Sequence, residues 1–264
     1  MTTQSAPLDG RGHALDPDYY QQEHSSRAPN SLGSRQPSHM PPEISTTSVL
    51  VPRTWGVTLI SLLDSGAIKP FEDVIANADK KVFDPEINDI NFGEEITGGH
   101  NNYGIWEVIK YRGQPRNDLI AKFFRRATPH EYGEVNALRM VNLLVESGKT
   151  KDPHPLRKSS LLPVIIMKKK EGISCRQFIE ESHGKDSSQG PLLDMWQIEE
   201  TMCKQAAKDA VNFWVFHDDN NIDNGLVTID KGSVKVELVD YGDAYMVIDK
   251  STPEETFYKA CRGR

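Results

Sequence analysis

The sequence predicts an α+β fold in two parts, a small antiparallel sheet followed by a mainly helical region, behind a tail that lacks a core. Three observations carry that expectation. Residues 90–126 alternate apolar and polar side chains in short runs broken by glycines, the period-2 pattern of antiparallel strands. Met195, Ile198, Met202, Ala206, Ala210 and Phe213 recur at helical spacing along one long segment. Residues 1–47 are rich in Ser, Pro, Gln, Gly and His, as in Ser25-Ser26-Arg27-Ala28-Pro29 and Met40-Pro41-Pro42. Such a composition buries too little apolar area to offset the entropy of ordering, so this stretch is expected to be a disordered tail.

The remaining elements follow in order. Residues 48–89 read as a helical extension: Trp55, Leu59, Leu62 and Leu63, then Phe71, Val74 and Ile75, suggest two short helices, with Gly66 ending the first. Residues 90–170 hold strands at Ile105 to Lys110 and Leu119 to Phe124, joined by the turn Arg112-Gly113-Gln114-Pro115. A helix is expected from Glu131 to Glu146, with Val135, Leu138, Val141 and Val145 on one stripe and Gly148 as its stop. Pro163 to Met167 reads as a buried strand. Residues 171–264 begin with the approach to the long helix, which runs up to His217. A β-hairpin then forms from Gly225 to Ile229 and Val234 to Val239 around the turn signature Asp230-Lys231-Gly232-Ser233.

Composition narrows the function classes. A net charge of −7 argues against a nucleic-acid binder, which needs a strongly basic face. The basic clusters Arg125-Arg126 and Lys168-Lys169-Lys170 read as solvated surface. Cys175, Cys203 and Cys261 contain no C-x-x-C pair and are too few and scattered for a disulfide framework or a zinc site. Reduced thiols in a soluble intracellular protein, cytoplasmic or nuclear, are expected. The first residues lack an apolar stretch of signal-peptide length, and the run Leu161 to Met167 is interrupted by Pro163, so no membrane partner is expected. Arg262-Gly263-Arg264 after Cys261 does not fit a prenylation signal.

The most informative residues are His217-Asp218-Asp219-Asn220-Asn221-Ile222-Asp223-Asn224 and, after the hairpin, Val239-Asp240-Tyr241-Gly242. Phosphoryl transfer needs a carboxylate near the attacking hydroxyl and oxygen ligands for the magnesium that neutralises the phosphates. Asp219, Asn224 and Asp240 can supply these groups, although Asp and Asn also cluster wherever turns are made. The pattern resembles the protein-kinase-like superfamily, which includes protein kinases and the aminoglycoside and choline phosphotransferases. Its H-x-D-x-x-x-x-N catalytic loop is matched at His217, Asp219 and Asn224, and its D-F-G motif at Asp240-Tyr241-Gly242. The resemblance implies a two-lobe fold that binds ATP and Mg2+, with Asp219 as catalytic base, Asn224 and Asp240 as magnesium ligands and His217 buttressing the loop.

Upstream, the same resemblance assigns Lys122 in Leu119-Ile120-Ala121-Lys122 to the strand lysine that meets the α- and β-phosphates, with Glu134 or Glu131 as its carboxylate partner. Gly98-Gly99-His100-Asn101-Asn102-Tyr103-Gly104 stands where the family has its glycine-rich loop but departs from the G-x-G-x-x-G spacing, and an ordinary tight turn fits it equally. Met167 and the backbone of Lys168 to Lys170 would form the hinge that carries adenine; a core methionine at a strand end is the other reading. Asp218 replaces the arginine of many regulated kinases, which tilts the acceptor toward small molecules. The resemblance covers about Asn91 to Asp249, and the 22 residues after Gly242 do not hold a full substrate platform, so a reduced second lobe is expected, whether by truncation, as a natural minimal form or in an inactive relative. Two functions follow as expectations: an ATP-dependent phosphotransferase acting on a hydroxyl of an unidentified protein or small molecule, or a pseudokinase or scaffold that binds nucleotide or a protein partner without catalysis.

Overall fold

The computed structural model describes residues 58–77, 79–97, 103–154, 161–183, 195–219, 221–230 and 233–263, all within one unit that spans 51–264. The expected tail at 1–47 and the glycines Gly98 and Gly99 lie outside the described residues.

The first helix, α1 (Leu59–Asp64), opens on a reciprocal cap: the Thr58 hydroxyl accepts the Ser61 amide while the Ser61 hydroxyl oxygen accepts that of Thr58. Gly66, at φ +72°, turns the chain out of it. The next elements are β1 (Ile68–Pro70) and α2 (Phe71–Val74). Both short helices stand where the hydrophobic spacing put them, but the strand between them was not foreseen.

The main sheet is built from β2 (Ile90–Thr97), β3 (Gly104–Tyr111), β4 (Gln114–Pro115), β5 (Leu119–Phe123), and, beyond α3 (Pro129–Met140), β6 (Leu144–Lys151) and β7 (Leu161–Lys168). The strands lie in the order β2-β3-β5-β7-β6, all antiparallel, with β4 beside β3. Arg112 and Gly113, both in the left-handed region at φ 49° and 77°, make the tight turn from β3 into β4. One face of the sheet closes a small core of Trp106, Val108, Leu119, Ala121, Phe123, Val164 and Ile166. The register puts Ile105, Lys122 and Ile165 side by side on the other face, with Ile120 opposite Met167 next to them.

The helix expected over 131–146 is shorter and starts earlier. Thr128, Pro129 and Glu131 form a capping box with proline in the first turn, and the Thr128 amide donates to Glu131 Oε2 at 2.7 Å. After Met140 the chain passes through Asn142 at φ 59° and enters β6. Val145, assigned to the buried stripe, is therefore an exposed strand residue. Gly148 is no helix stop: it sits within β6, where a Cβ would lie 2.5 Å from the Pro85 carbonyl oxygen. The close approach is fixed by the Lys149 amide donating to Pro85 O at 2.7 Å and the Ile87 amide to Lys149 O at 2.8 Å.

The second half comprises β8 (Ile173–Ser174), α4 (Cys175–His183), α5 (Met195–Phe213), β9 (Val215–His217), β10 (Gly225–Asp230), β11 (Ser233–Leu238), β12 (Ala244–Val247) and α6 (Glu254–Arg262). The hairpin of β10 and β11 forms, with Asp230 opposite Ser233, while residues 231 and 232 of the expected turn lie outside the described residues. β12 inserts between β1 and β9, so the segment at 58–77 is part of the domain rather than an appendage. Helix α5 is the spine of the larger core, burying Ile198, Met202, Ala206, Ala207 and Ala210. No helix among the described residues is long and apolar enough to cross a membrane.

Cys203 on α5 and Cys261 on α6 form a disulfide across a Cα separation of 5.5 Å, which overturns the expectation of reduced thiols for this pair. The two are 58 residues apart, so only the packing of α6 on α5 brings them together, and no local spacing could announce the bond. Cys175 is free and buried. Replacing both Cys203 and Cys261 with serine is expected to lower stability by about 4 kcal/mol, the chain-entropy estimate for a loop of this length. Urea unfolding of the variant against the oxidised protein measures the difference.

Candidate functional site

A lysine in the middle of a buried strand must find countercharge, because an isolated ammonium in the interior costs several kcal/mol. The register of β5 turns Lys122 to the face shared with Ile105 and Ile165, and α3 lies across it. Lys122 Nζ donates to Glu134 Oε1 at 2.7 Å and Oε2 at 3.0 Å, and to Asp240 Oδ1 at 2.7 Å. Lys122 is 5% exposed and Glu134 1%, whereas the Asp240 side chain remains 45% exposed. Burial alone would pull the Lys122 ammonium down, but the Glu134 and Asp240 carboxylates hold it above the ordinary lysine range. Burial likewise opposes the charge on Asp240, and Lys122 prevails, keeping that carboxyl below its usual value. The choice between the two glutamates is thereby made: Glu134 meets Lys122, while Glu131 serves the cap of α3.

Asp240 follows β11 at φ 60°, a left-handed backbone that a residue with a Cβ adopts only when its surroundings hold it there. Several bonds do so. His217 Nε2 lies 3.0 Å from the Val239 carbonyl oxygen and 2.9 Å from that of Asp240. Since both are acceptors, Nε2 carries the proton and donates to them. Its Nδ1 is buried without a hydrogen-bond partner among the described residues. Burial pulls the imidazole below its ordinary pKa, so His217 is a neutral buttress that ties β9 to the Asp240 backbone. The Val239 amide donates to the Asn224 carbonyl at 2.8 Å, and Gly242 N donates to Asp240 Oδ1 at 3.4 Å.

Asp219 and Asn224 form the neighbouring unit. Asn224 Nδ2 donates to Asp219 Oδ2 at 2.7 Å, and Asp219 Oδ1 accepts the Asn221 amide at 3.3 Å. Both side chains are half-buried. The structure thus brings Lys122, Glu134 and Asp240 into direct contact, pairs Asp219 with Asn224, and links the two groups through the Asn224–Val239 backbone bond and His217.

The other expected site residues are placed less directly. Gly104 opens β3 at φ +126°, a backbone that a residue with a Cβ rarely adopts, so the local conformation already favours a glycine. Met167 is half-buried on the Lys122 face. The amides of Lys168 and Lys169 donate to the carbonyls of Leu143 at 3.0 Å and Asp118 at 2.8 Å, and the Lys170 ammonium donates to Leu238 O at 2.8 Å. Ile105 and Ile120, not singled out in the sequence, line the same face as Lys122 and are half-buried. Alternation along β3 and β5 was the signal that could have found them. Neither a protein-family model nor a curated protein matches the chain.

Two outcomes follow from this geometry. Lys122→Ala leaves the Glu134 carboxylate buried and unpaired and is expected to cost about 3–5 kcal/mol, most of which returns in the double variant Lys122→Ala/Glu134→Gln; chemical denaturation of the four proteins measures the coupling. His217 has a depressed folded pKa, so its contribution to stability is present above the unfolded value near 6.5 and is lost as the pH falls through the folded one. Below about pH 6.5 the unfolding free energy of the wild type is expected to fall more steeply than that of His217→Gln, by up to ~1.4 kcal/mol per pH unit.

Proposed function

We propose that this chain is an ATP-dependent phosphotransferase on a two-lobe protein-kinase-like fold, transferring the γ-phosphoryl group to a hydroxyl of an acceptor. The observation that carries this reading is the Lys122 ammonium held between Glu134 and Asp240. A purely structural ion pair is complete with one carboxylate. Here a second, half-exposed carboxylate shares the same nitrogen, and a strained backbone aims it there. Lys122 is positioned to meet phosphate oxygens, with Glu134 fixing its direction. Ile105, Ile120 and Met167 offer an apolar surface on the same face for a flat base.

The donor set fits magnesium, a hard cation that takes oxygen ligands. Asp240 offers a half-exposed carboxylate, and Asn224, whose Nδ2 is turned to Asp219, has its amide oxygen left for the ion. When bound, the metal neutralises charge on the phosphates. Asp219 acts on the acceptor: as the acceptor oxygen bonds to the γ-phosphorus and the bond from that phosphorus to the β,γ-bridging oxygen breaks, the hydroxyl proton passes to the Asp219 carboxylate. Asn224 and the Asn221 amide hold that carboxylate in place.

One observation favours a nucleotide-binding scaffold instead. Gly242 is followed at once by β12, fixed on both sides by β1 and β9, where protein kinases have a movable acceptor-binding segment. The two readings separate on the roles of Asp219 and Asp240. Asp240→Asn is expected to weaken stabilisation by Mg-ATP in a thermal-shift titration under either reading. Asp219→Asn is expected to leave that stabilisation nearly intact and to lower turnover, followed as ATP hydrolysis or autophosphorylation, by at least about a hundredfold. Equal background rates in wild type and Asp219→Asn, with both binding Mg-ATP, select the scaffold.

A further inference from the structure

Away from the Lys122 cluster, a cavity of ≈ 170 Å³ lies between the chain leaving α3, helix α5, strand β11 and Tyr241. Its walls hold two groups of opposite charge, the buried Asp209 and the half-buried Lys170, of which the phosphotransfer reading uses only the Lys170 backbone. Asp209 on α5 is 4% exposed, and its two oxygens accept from neutral donors, Gln205 Nε2 at 2.8 Å and the Tyr241 hydroxyl at 3.1 Å. Lys170, whose side chain is 16% exposed, donates to the Leu238 carbonyl and stands 3.8 Å from Glu237. Among the described residues no ion pair joins Asp209 to Lys170, although both line the same space. Lys235, paired with Glu237, also lines the space, and Val141, Leu143 and Phe213 supply an apolar part of the wall.

We infer that this cavity binds a small zwitterion, an α-amino acid with a short aliphatic side chain, its ammonium at Asp209, its carboxylate at Lys170 and its side chain against Val141, Leu143 and Phe213. Buried charges are ordinarily paired; Asp209 meets only neutral donors, and the one carboxylate paired with Lys170, Glu237, is shared with Lys235, so a ligand carrying both signs adds the countercharge each side lacks. A simple anion would satisfy Lys170 while adding repulsion from Asp209 and Glu237; a simple cation would meet the reverse. Burial pulls Lys170 down and pushes Asp209 up from their ordinary ranges, the direction expected of charges whose countercharge is short. The volume suits the ligand: a cavity of ~150 Å³ accommodates benzene. This site is independent of the phosphotransfer reading.

The test is a thermal-shift and calorimetric titration of the full chain with L-valine and L-alanine, with acetate and methylammonium as the single-charge halves. Saturable stabilisation by the amino acids, absent with either half at about 10 mM, is expected. Asp209→Asn, which keeps hydrogen-bonding capacity but removes the anion, is expected to weaken binding at least about tenfold. Val141→Phe fills the cavity without altering a charge and abolishes binding even if the first variant does not fold. The proposal is overturned if no amino acid stabilises the protein, if acetate or methylammonium alone does so as well as valine, or if Val141→Phe binds valine like the wild type.

Discussion

The Lys122 ammonium, shared by Glu134 and Asp240, is the contact on which the other elements depend. It joins β5, α3 and the end of β11, which share no backbone ladder. Each partner is aimed by a separate device. The register with β3 and β7 turns Lys122 away from the small core. The Thr128 cap fixes where α3 begins and hence the rotational phase at Glu134. Helix α2 presses on α3 one residue earlier, where a Cβ on Gly133 would stand 3.0 Å from that of Phe71. The extension at the start of the described chain therefore backs the helix that carries Glu134.

Electrostatics in this region divides into charged and deliberately neutral parts. Lys122 and Asp240 keep their charges because they meet each other, and Asp240 is also partly solvated. His217, fully buried beside them, could become a second cation, a form that the Asp240 and Asp219 carboxylates favour. Its environment prevents that: two carbonyls require a proton on Nε2 and burial denies one to Nδ1. A neutral imidazole can hold the backbone of residues 239–240 without competing with Lys122 for Asp240.

Much of this was legible in the sequence wherever one period dominated. The alanine-rich stripe of α5, the apolar run of β7 and the pairing of β10 with β11 each have a single reading, and the structure follows it. Residues 135–145 misled because Val135, Leu138 and Val141 continue smoothly to Val145 at helical spacing, while the break at Asn142 is a left-handed backbone that the spacing does not reveal. The T-P-x-E cap at Thr128 was readable and would have freed Glu131 from consideration as the Lys122 partner. The disulfide and the β1–β12 pairing are tertiary events between distant segments, and no local pattern encodes either. Motif spacing placed Asp219 beside Asn224, since a short loop sets that distance, whereas Lys122 was brought to Asp240 only by the resemblance. It was silent on Asp209, an acid in the middle of a helix that looks like any solvated charge until α5 is seen packed against Tyr241.

Asp240 and Tyr241 show why the strained backbone matters. In a continuing strand, neighbouring side chains point to opposite faces of one sheet and would serve whatever packs there. The left-handed turn at Asp240 ends the strand and sends the two side chains to different partners: Asp240 to the ammonium on β5, Tyr241 to the buried carboxylate on α5. A glycine at 240 would relieve the strain but remove the carboxylate that Lys122 requires. An uninterrupted strand would keep the carboxylate and lose the bond from Tyr241 to Asp209. The unfavourable φ is retained because one residue must provide both a charge and a change of direction, and the bonds from His217, Asn224 and Lys122 jointly offset its strain.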